Sequence, residues 1–346
     1  MAKGGCSGYF LLLIILCMVA TNLGAVEDVQ ATIFIFGDST VDVGTNNILN
    51  GSAALANFLY NGIDFPHSIP TGSFSNGFNI ADHPCAVLFG YEKSPQPYLY
   101  LVKNMSVLRK EILRGLTLHL PGRVVPLRKQ IQQLALVRGN ISELKGPEEA
   151  AKIISNSLDI FSVGSNDILD PVRLGTNLTM ELLAVIRLTC HQHRKNLYNM
   201  GGRKFAIIPA APIGCCPFSR AINKNGGGDG GSFYTAVDTL LQNMSLEFPE
   251  MKYSLGNVYK MTKYIFKNYR FNETKKACCG SGDYNGVGYC NKAQNPNLCE
   301  NRDKCLFWDL YHPSQAATLL SASTLYNRES YYMKPMNFSL LAQLQL

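Results

Sequence analysis

The chain predicts an α/β protein built on a mostly parallel sheet with helices on both faces. Three observations carry this expectation. The runs Ala31–Phe36, Leu158–Val163 and Lys204–Ile208 are short, apolar and rich in β-branched or aromatic residues, as strands buried on both faces are. Stretches with apolar residues at helical spacing lie between such runs, and strands alternating with helices pair in parallel. Glycine closes two of the runs, at Gly37 and Gly164, so the chain turns where an open parallel sheet places its ligand crevice, just outside the strand ends.

Taken in order, Lys3 precedes the apolar segment Tyr9–Ala20, too short to span a bilayer and followed by small residues at Gly24-Ala25. Residues 1–25 therefore read as a signal peptide cleaved near Ala25, and 26–346 as a single domain. After the first strand, Asp42–Phe65 reads as loop and helix, and Thr71–Gly77 as a turn-rich surface loop. Gly115–Leu120 alternates apolar and polar before Pro121-Gly122, as a half-buried strand does. Glu148–Asn156 is helical in pattern, and Met180–Asn199 is a longer helix stopped by Gly201-Gly202. Gly226–Gly231 reads as a flexible connection, because it lacks the Gly-Lys-Ser/Thr ending of a phosphate loop. A helix over Tyr234–Leu246 and a strand over Lys252–Leu255 follow.

Composition narrows the function. Hydrophobic residues make up 46% of 346, enough for a full core, while 32 basic residues against 25 acidic ones give a modest excess. The basic residues Lys103, Arg109, Lys110, Arg114, Arg123, Arg128 and Lys129 face only Glu111 in sequence; an anionic surface such as acidic polysaccharide or lipid headgroups is one partner they suit, but such residues are more often simply the wet faces of loops and helices. No aromatic-basic interleaving accompanies them, so no nucleic-acid partner is expected. Seven Asn-x-Ser/Thr acceptors, at Asn50, Asn104, Asn140, Asn177, Asn243, Asn272 and Asn337, fit an exported glycoprotein. Eleven cysteines fit the same oxidising route. Cys6 and Cys17 leave with the signal, and the other nine are an odd set. Cys278, Cys279, Cys290, Cys299 and Cys305 cluster late, where two bridges are the economical reading. A zinc site lacks paired Cys-x-x-Cys hooks and histidine. Cys85 and Cys190 read as buried thiols.

Serine becomes a nucleophile when a base takes its proton, and that base is usually a histidine oriented by a carboxylate. Ser39 follows the first strand, and Asp309 and His312 stand three apart in Trp308-Asp309-Leu310-Tyr311-His312-Pro313. Pro313 is expected as the first residue of the next helix, holding His312 at its mouth. A second Asp-x-x-His, Asp64 to His67, has neither a strand before it nor a helix after it and reads as a surface turn. His191 and His193 are two apart on a helix and cannot share a face for a metal. Asn166, in Gly164-Ser165-Asn166-Asp167, either caps the next helix or offers its amide to an oxyanion in the crevice of Ser39.

Together these segments resemble the plant secreted branch of the GDSL esterase/lipase family, in the SGNH hydrolase superfamily. The matching stretches are Phe34–Asn47, Ile69–Gly77, Val163–Asp167, Pro212–Pro217, Ala277–Gly280 and Asp309–Pro313, in family order over nearly the whole mature chain. The resemblance implies a flavodoxin-like three-layer α/β/α sandwich, the SGNH hydrolase fold. It implies Ser39 as nucleophile, His312 as base, Asp309 behind it, and Asn166 with the Ser39 backbone N–H as oxyanion donors. No metal or organic cofactor is implied. The expected substrate is a small-molecule, lipid or polymer ester, and the expected protein is an extracellular monomer of the cell wall or apoplast without a stable membrane anchor.

Two departures stand out. The family's Gly-Val-Asn-Phe-Ala-Ser-Gly-Gly block, which supplies a further oxyanion glycine, corresponds to Gly115–Gly122, where Pro121 has no N–H to give. Ser73 stands where the family's Thr-Gly-Arg-Phe loop has a cation. Ester hydrolysis through an acyl-enzyme is the leading reading, with acyl transfer from the same intermediate and a catalytically impaired relative as alternatives.

Overall fold

The computed structural model describes residues 31–49, 52, 55–82, 94–118, 127–174, 180–222, 230–267, 271–327 and 331–346. The expected signal peptide, the acceptors Asn50 and Asn177, Cys85, the Cys190 side chain and the Pro121-Gly122 turn lie outside these residues. Ala31–Leu346 forms one compact unit.

The central sheet holds β1 (Ile33–Gly37), β2 (Gln96–Pro97), β3 (Gly115–Thr117), β4 (Leu158–Val163), β5 (Lys204–Pro209), β6 (Lys252–Gly256) and, after β7 to β10 outside it, β11 (Met333–Lys334). Its order is β11-β6-β5-β4-β1-β3-β2, parallel throughout except for the β11–β6 pair. Without the short outer strands β2 and β11, the sheet runs second, first, third, fourth, fifth in chain order. This is the flavodoxin-like arrangement, whose switch point falls between β1 and β4.

Period-two alternation sends successive side chains to opposite faces and builds two cores. Phe34, Phe36, Phe161, Phe205 and Ile207 face one side, under the helices Leu127–Lys145, Pro147–Asn156 and Gly230–Glu247. Ile33, Ile35, Ile160, Ala206 and Ile208 face the other, under Val258–Lys267, Gln315–Asn327 and Phe338–Gln343. The Phe36 and Phe161 rings stack with centroids 4.7 Å apart, locking β1 to β4 beneath the switch point.

Three expectations about the fold are corrected. β3 is fully buried rather than half-buried, Thr117 included, because it is paired on both edges, by β1 and β2, and covered on both faces. Thr71–Gly77 is no surface loop, since Gly72–Gly77 are buried. Its polar groups find partners inside: Ser73 Oγ donates to the Asp42 carbonyl (2.8 Å), and Asn76 Oδ1 accepts from Gln315 N (2.9 Å). Of the expected flexible connection Gly226–Gly231, Gly230 and Gly231 open a helix instead, and 226–229 lie outside the described residues.

β7 (Glu273–Ala277) pairs in parallel with β10 (Cys305–Phe307), and β8 (Cys279–Gly280) with β9 (Asn297–Leu298) antiparallel. Disulfides Cys278–Cys299 and Cys279–Cys290 staple this segment, the two bridges expected from the cluster. Among the described residues, Cys215, Cys216 and Cys305 are free thiols. Asn104, Asn243 and Asn272 are exposed, while Asn140 and Asn337 are half-buried.

Candidate active site

The paired register Gly37↔Ser162 brings the carboxyl ends of β1 and β4 side by side. Gly37 permits this closeness, because a Cβ there would lie 2.5 Å from the Ser162 carbonyl oxygen and 2.4 Å from Val41 Cγ2. The chain then turns into a short 3₁₀ segment, Ser39–Val41, that carries the serine over the strand end. Several bonds fix this turn. Asp38 N donates to Ser162 O (3.2 Å), and Asp38 Oδ1 accepts from Thr40 N (3.1 Å) and Thr40 Oγ1 (2.8 Å). Loss of water around the inward-turned Asp38 carboxyl raises its pKa. From the helix Leu127–Lys145, the buried Gln130 amide accepts from Gly37 N and donates to Gly37 O, both at 3.0 Å.

Asn166 enters from the other side of the switch point. Gly164, at φ +102°, ends the β4 path and starts the helix Ser165–Arg173, which places Asn166 on the wall of the same cavity as Ser39. A Cβ on Gly164 would meet the Phe233 ring at 2.6 Å.

His312 comes from a tight loop after β10. Trp308 N donates to His312 O (2.8 Å), and the buried Asp309 Oδ1 accepts from Tyr311 N (2.9 Å) and His312 N (2.8 Å). The same carboxylate meets His312 Nδ1 at 2.8 and 2.9 Å, and His312 Nε2 lies 2.7 Å from Ser39 Oγ. An ionised carboxylate only accepts, so Nδ1 carries the hydrogen and Nε2 turns its lone pair to the serine hydroxyl. The three side chains, 273 residues apart at the extremes, stand in one hydrogen-bonded line. Pro313 is not the first residue of the following helix as expected. Ser314 caps it instead, with Oγ accepting from Ala317 N (3.2 Å), and Pro313 precedes the cap.

Sequence reasoning passed over several residues around this line. Phe74 stacks on His312 (4.9 Å, 20°), so the Thr71–Gly77 loop contributes a ring to the site. Arg173 puts a cation on the cavity wall; its Nε donates to Tyr311 Oη (3.1 Å) and its guanidinium lies 4.7 Å from that ring's centroid. Burial pushes the Tyr311 phenol up to about 12. The stretches Ile69–Gly77 and Asp309–Pro313 carried a local signal of family resemblance, whereas nothing near Gln130 marked it.

The other sequence candidates stand apart. Asp64 is bound by Arg302 through two bonds of 2.6 Å, and His67 is exposed in a turn. His191 Nε2 meets Glu247 Oε2 at 2.9 Å while His193 is turned inward. Among the described residues the one group close enough to share a metal is Cys278, Cys299 and Cys305, with sulfurs within 4.8 Å. Two of these are joined in a disulfide, so only Cys305 has a thiol to offer and the set does not fit zinc.

The line opens into a cavity of about 1020 Å³. A flavodoxin-like sheet with serine, histidine and aspartate joined outside its strand ends has the architecture of the serine-type hydrolases. The comparison with family models is more specific. The model for GDSL-like Lipase/Acylhydrolase matches residues 33–325, and the chain belongs to this family. Similar proteins of Arabidopsis thaliana include GDSL esterase/lipase At5g41890, 32% identical over 90% of this chain and 94% of the relative. GDSL esterase/lipase At5g55050 is 31% identical over 89% of each chain, and GDSL esterase/lipase LTL1 is 29% identical over 88% of this chain and 89% of its own. Membership of this family makes hydrolysis of ester bonds the class of reaction.

Proposed function

We propose that the chain is a secreted carboxylic ester hydrolase working through an acyl-enzyme on Ser39. The observation that carries this reading is the 2.7 Å approach of His312 Nε2 to Ser39 Oγ, with Asp309 holding Nδ1. His312 takes the hydroxyl proton as Ser39 Oγ attacks the ester carbonyl, and the imidazolium so formed is stabilised by Asp309. The Ser39 backbone N–H and the Asn166 side-chain amide receive the oxyanion. Collapse of the tetrahedral intermediate passes the proton from Nε2 to the departing alcohol and leaves the acyl group on Ser39. Water then enters and gives a proton to His312 as its oxygen attacks the acyl carbonyl, and collapse breaks the bond to Ser39 Oγ, which takes the proton back from Nε2 as the acid leaves.

Secretion is supported by residues 1–25 and by the two disulfides, which suit an oxidising compartment. No described helix is long and apolar enough to cross a membrane. The test is turnover of p-nitrophenyl acetate by the purified, secreted protein and by Ser39→Ala. The expected outcome is measurable hydrolysis that the substitution reduces by at least about 10³-fold. Equal rates in the two proteins would remove Ser39 from the mechanism.

A further inference from the structure

Two of the free thiols are consecutive, and both lie on the wall of the cavity that holds Ser39. Cys215 and Cys216 come after β5, in the stretch Pro212–Pro217 that the acyl-enzyme chemistry does not use. Cys215 is half-buried and faces whatever enters the cavity, while Cys216 is buried with its Sγ 3.3 Å from Ser219 Oγ. Burial, with the neighbouring Cys215 adding to it, pushes the Cys216 thiol up, so Cys216 keeps its proton.

That this pair stays reduced in a protein with two disulfides has a physical reason. Consecutive Cα atoms are about 3.8 Å apart, whereas a relaxed disulfide spans about 4.4–6.8 Å between them. A bridge between neighbours forms against the backbone, and such a bond is readily reduced again. The backbone here is also tied down. Cys215 N donates to Pro212 O (2.9 Å), Cys216 N to Ile213 O (3.1 Å), and Arg220 Nε to Cys215 O (2.9 Å). The residues that follow reach the catalytic loop: Phe218 N donates to Leu310 O (3.0 Å), and the Phe218 ring lies 5.1 Å from that of Tyr311. Leu310 and Tyr311 stand between Asp309 and His312. Joining the two sulfurs turns the Cys215–Cys216 peptide, draws Cys216 Sγ from Ser219, and displaces this brace two residues on.

We propose that Cys215 and Cys216 are a reversible oxidation site that takes hydrogen peroxide as its oxidant, and that the disulfide formed between them slows turnover at Ser39. The second half rests on the acyl-enzyme reading given above. Cys215 Sγ, as the thiolate, attacks one peroxide oxygen. The S–O bond forms, the O–O bond breaks, and the hydroxide that leaves takes up the proton the thiol gave, as water. Cys216 Sγ then attacks the sulfenic sulfur of Cys215. The S–S bond forms, the S–O bond breaks, and the departing oxygen takes the Cys216 proton as a second water. Together the two thiols give up two electrons, which reduce the peroxide. A reductant that cleaves the strained bridge returns both thiols.

The experiment treats the full secreted chain with hydrogen peroxide and reads both mass and rate. Trypsin releases Phe205–Arg220, which carries Cys215 and Cys216 and no other cysteine. The expected peptide is lighter by two hydrogens and closed to iodoacetamide. A shift of about 1 Å at a reacting atom costs about 10²-fold and a brace acts at one remove, so kcat for p-nitrophenyl acetate is expected to fall about tenfold. A mild phosphine, with Cys278–Cys299 and Cys279–Cys290 verified as intact, is expected to restore both readings. The rate after peroxide is divided by the rate before it within each preparation, so the folded fraction cancels. In the double variant Cys215→Ser/Cys216→Ser this ratio is expected to stay near unity, and in Cys216→Ser dimedone is expected to trap a sulfenic acid on Cys215. A peptide that keeps both thiols, or that carries sulfinic or sulfonic acid in place of the bridge, overturns the site. A bridge formed at unchanged rate, or an equal fall in the double variant, overturns its control of Ser39 and leaves the proposed function standing. Absence of Ser39-dependent turnover in the reduced protein overturns the proposed function and that control with it, and the mass of the peptide still decides the oxidation site.

Discussion

Gln130→Leu separates the position of the serine from its chemistry. Gln130 lies on a helix of the first core layer and touches none of Ser39, His312 and Asp309, yet it makes two buried hydrogen bonds of 3.0 Å to the Gly37 backbone, two residues before the serine. Leucine of similar volume keeps the packing and removes both bonds. A buried neutral hydrogen bond contributes about 0.5–1.5 kcal/mol, so the loss is about 1–3 kcal/mol. In a domain of this size that lowers Tm by about 2–8 °C. The larger effect is expected on catalysis. A displacement of about 1 Å at a reacting atom costs about 10²-fold, and a loosened turn shifts Ser39 by a fraction of that, so kcat is expected to fall about 10-fold to 100-fold with little change in KM. Thermal unfolding and initial rates on one short ester check both numbers. Parental Tm together with parental kcat in Gln130→Leu would refute the role of this clamp.

Three further outcomes are expected. Asp309→Asn keeps an oxygen for the N–H groups of Tyr311 and His312 but faces Nδ1 with an amide, so kcat/KM is expected to fall about 10³–10⁴-fold while Tm changes by only a few degrees, measured by kinetics and thermal unfolding in parallel. Burial raises the Asp42 carboxyl from 3.8 to about 7, so the folded state keeps a proton that the unfolded chain has lost, and stability declines as pH rises from about 4 to about 7. Tm against pH is then expected to be shallower in Asp42→Asn over that window, with a residual slope from Asp82, raised to about 6 by its own burial; equal slopes in the two proteins would count against it. Replacing Cys279 and Cys290 together by serine opens a loop of sequence separation 11 and is expected to cost about 2–4 kcal/mol in denaturant unfolding, whereas Cys215→Ser leaves stability near its parental value.

The strands β4, β5 and β6 were legible because a strand covered on both faces is short and mostly apolar, with β-branched or aromatic residues between its few polar ones, and Leu158–Val163 matches β4 residue for residue. Ser39, Asp309 and His312 were legible for a different reason: their roles depend on short local motifs that end or begin elements. Two kinds of feature escaped. Thr71–Gly77 is polar and glycine-rich, which describes a surface loop until its partners are known, and those partners, Asp42 O and the start of the helix Gln315–Asn327, are far away in sequence. Gln130 is 93 residues from the glycine it holds and lies in an ordinary amphipathic helix, so no window of sequence contains both ends of the interaction. Thr117 reads as the wet face of a strand only until β1 and β2 are seen on either edge. Cysteine spacing gave the number of bridges, but pairing Cys278 with Cys299 and Cys279 with Cys290 required the β8–β9 ladder that aligns them.

The central claim is that Ser39 is a nucleophile activated by His312. Its most direct test is labelling of the folded, secreted protein with a fluorophosphonate, followed by mass spectrometry of the modified peptide. The account predicts one adduct on Ser39, absent in Ser39→Ala and formed at least about 10²-fold more slowly in His312→Ala. An unmodified Ser39 in folded protein, or labelling that proceeds at the parental rate without His312, would contradict it.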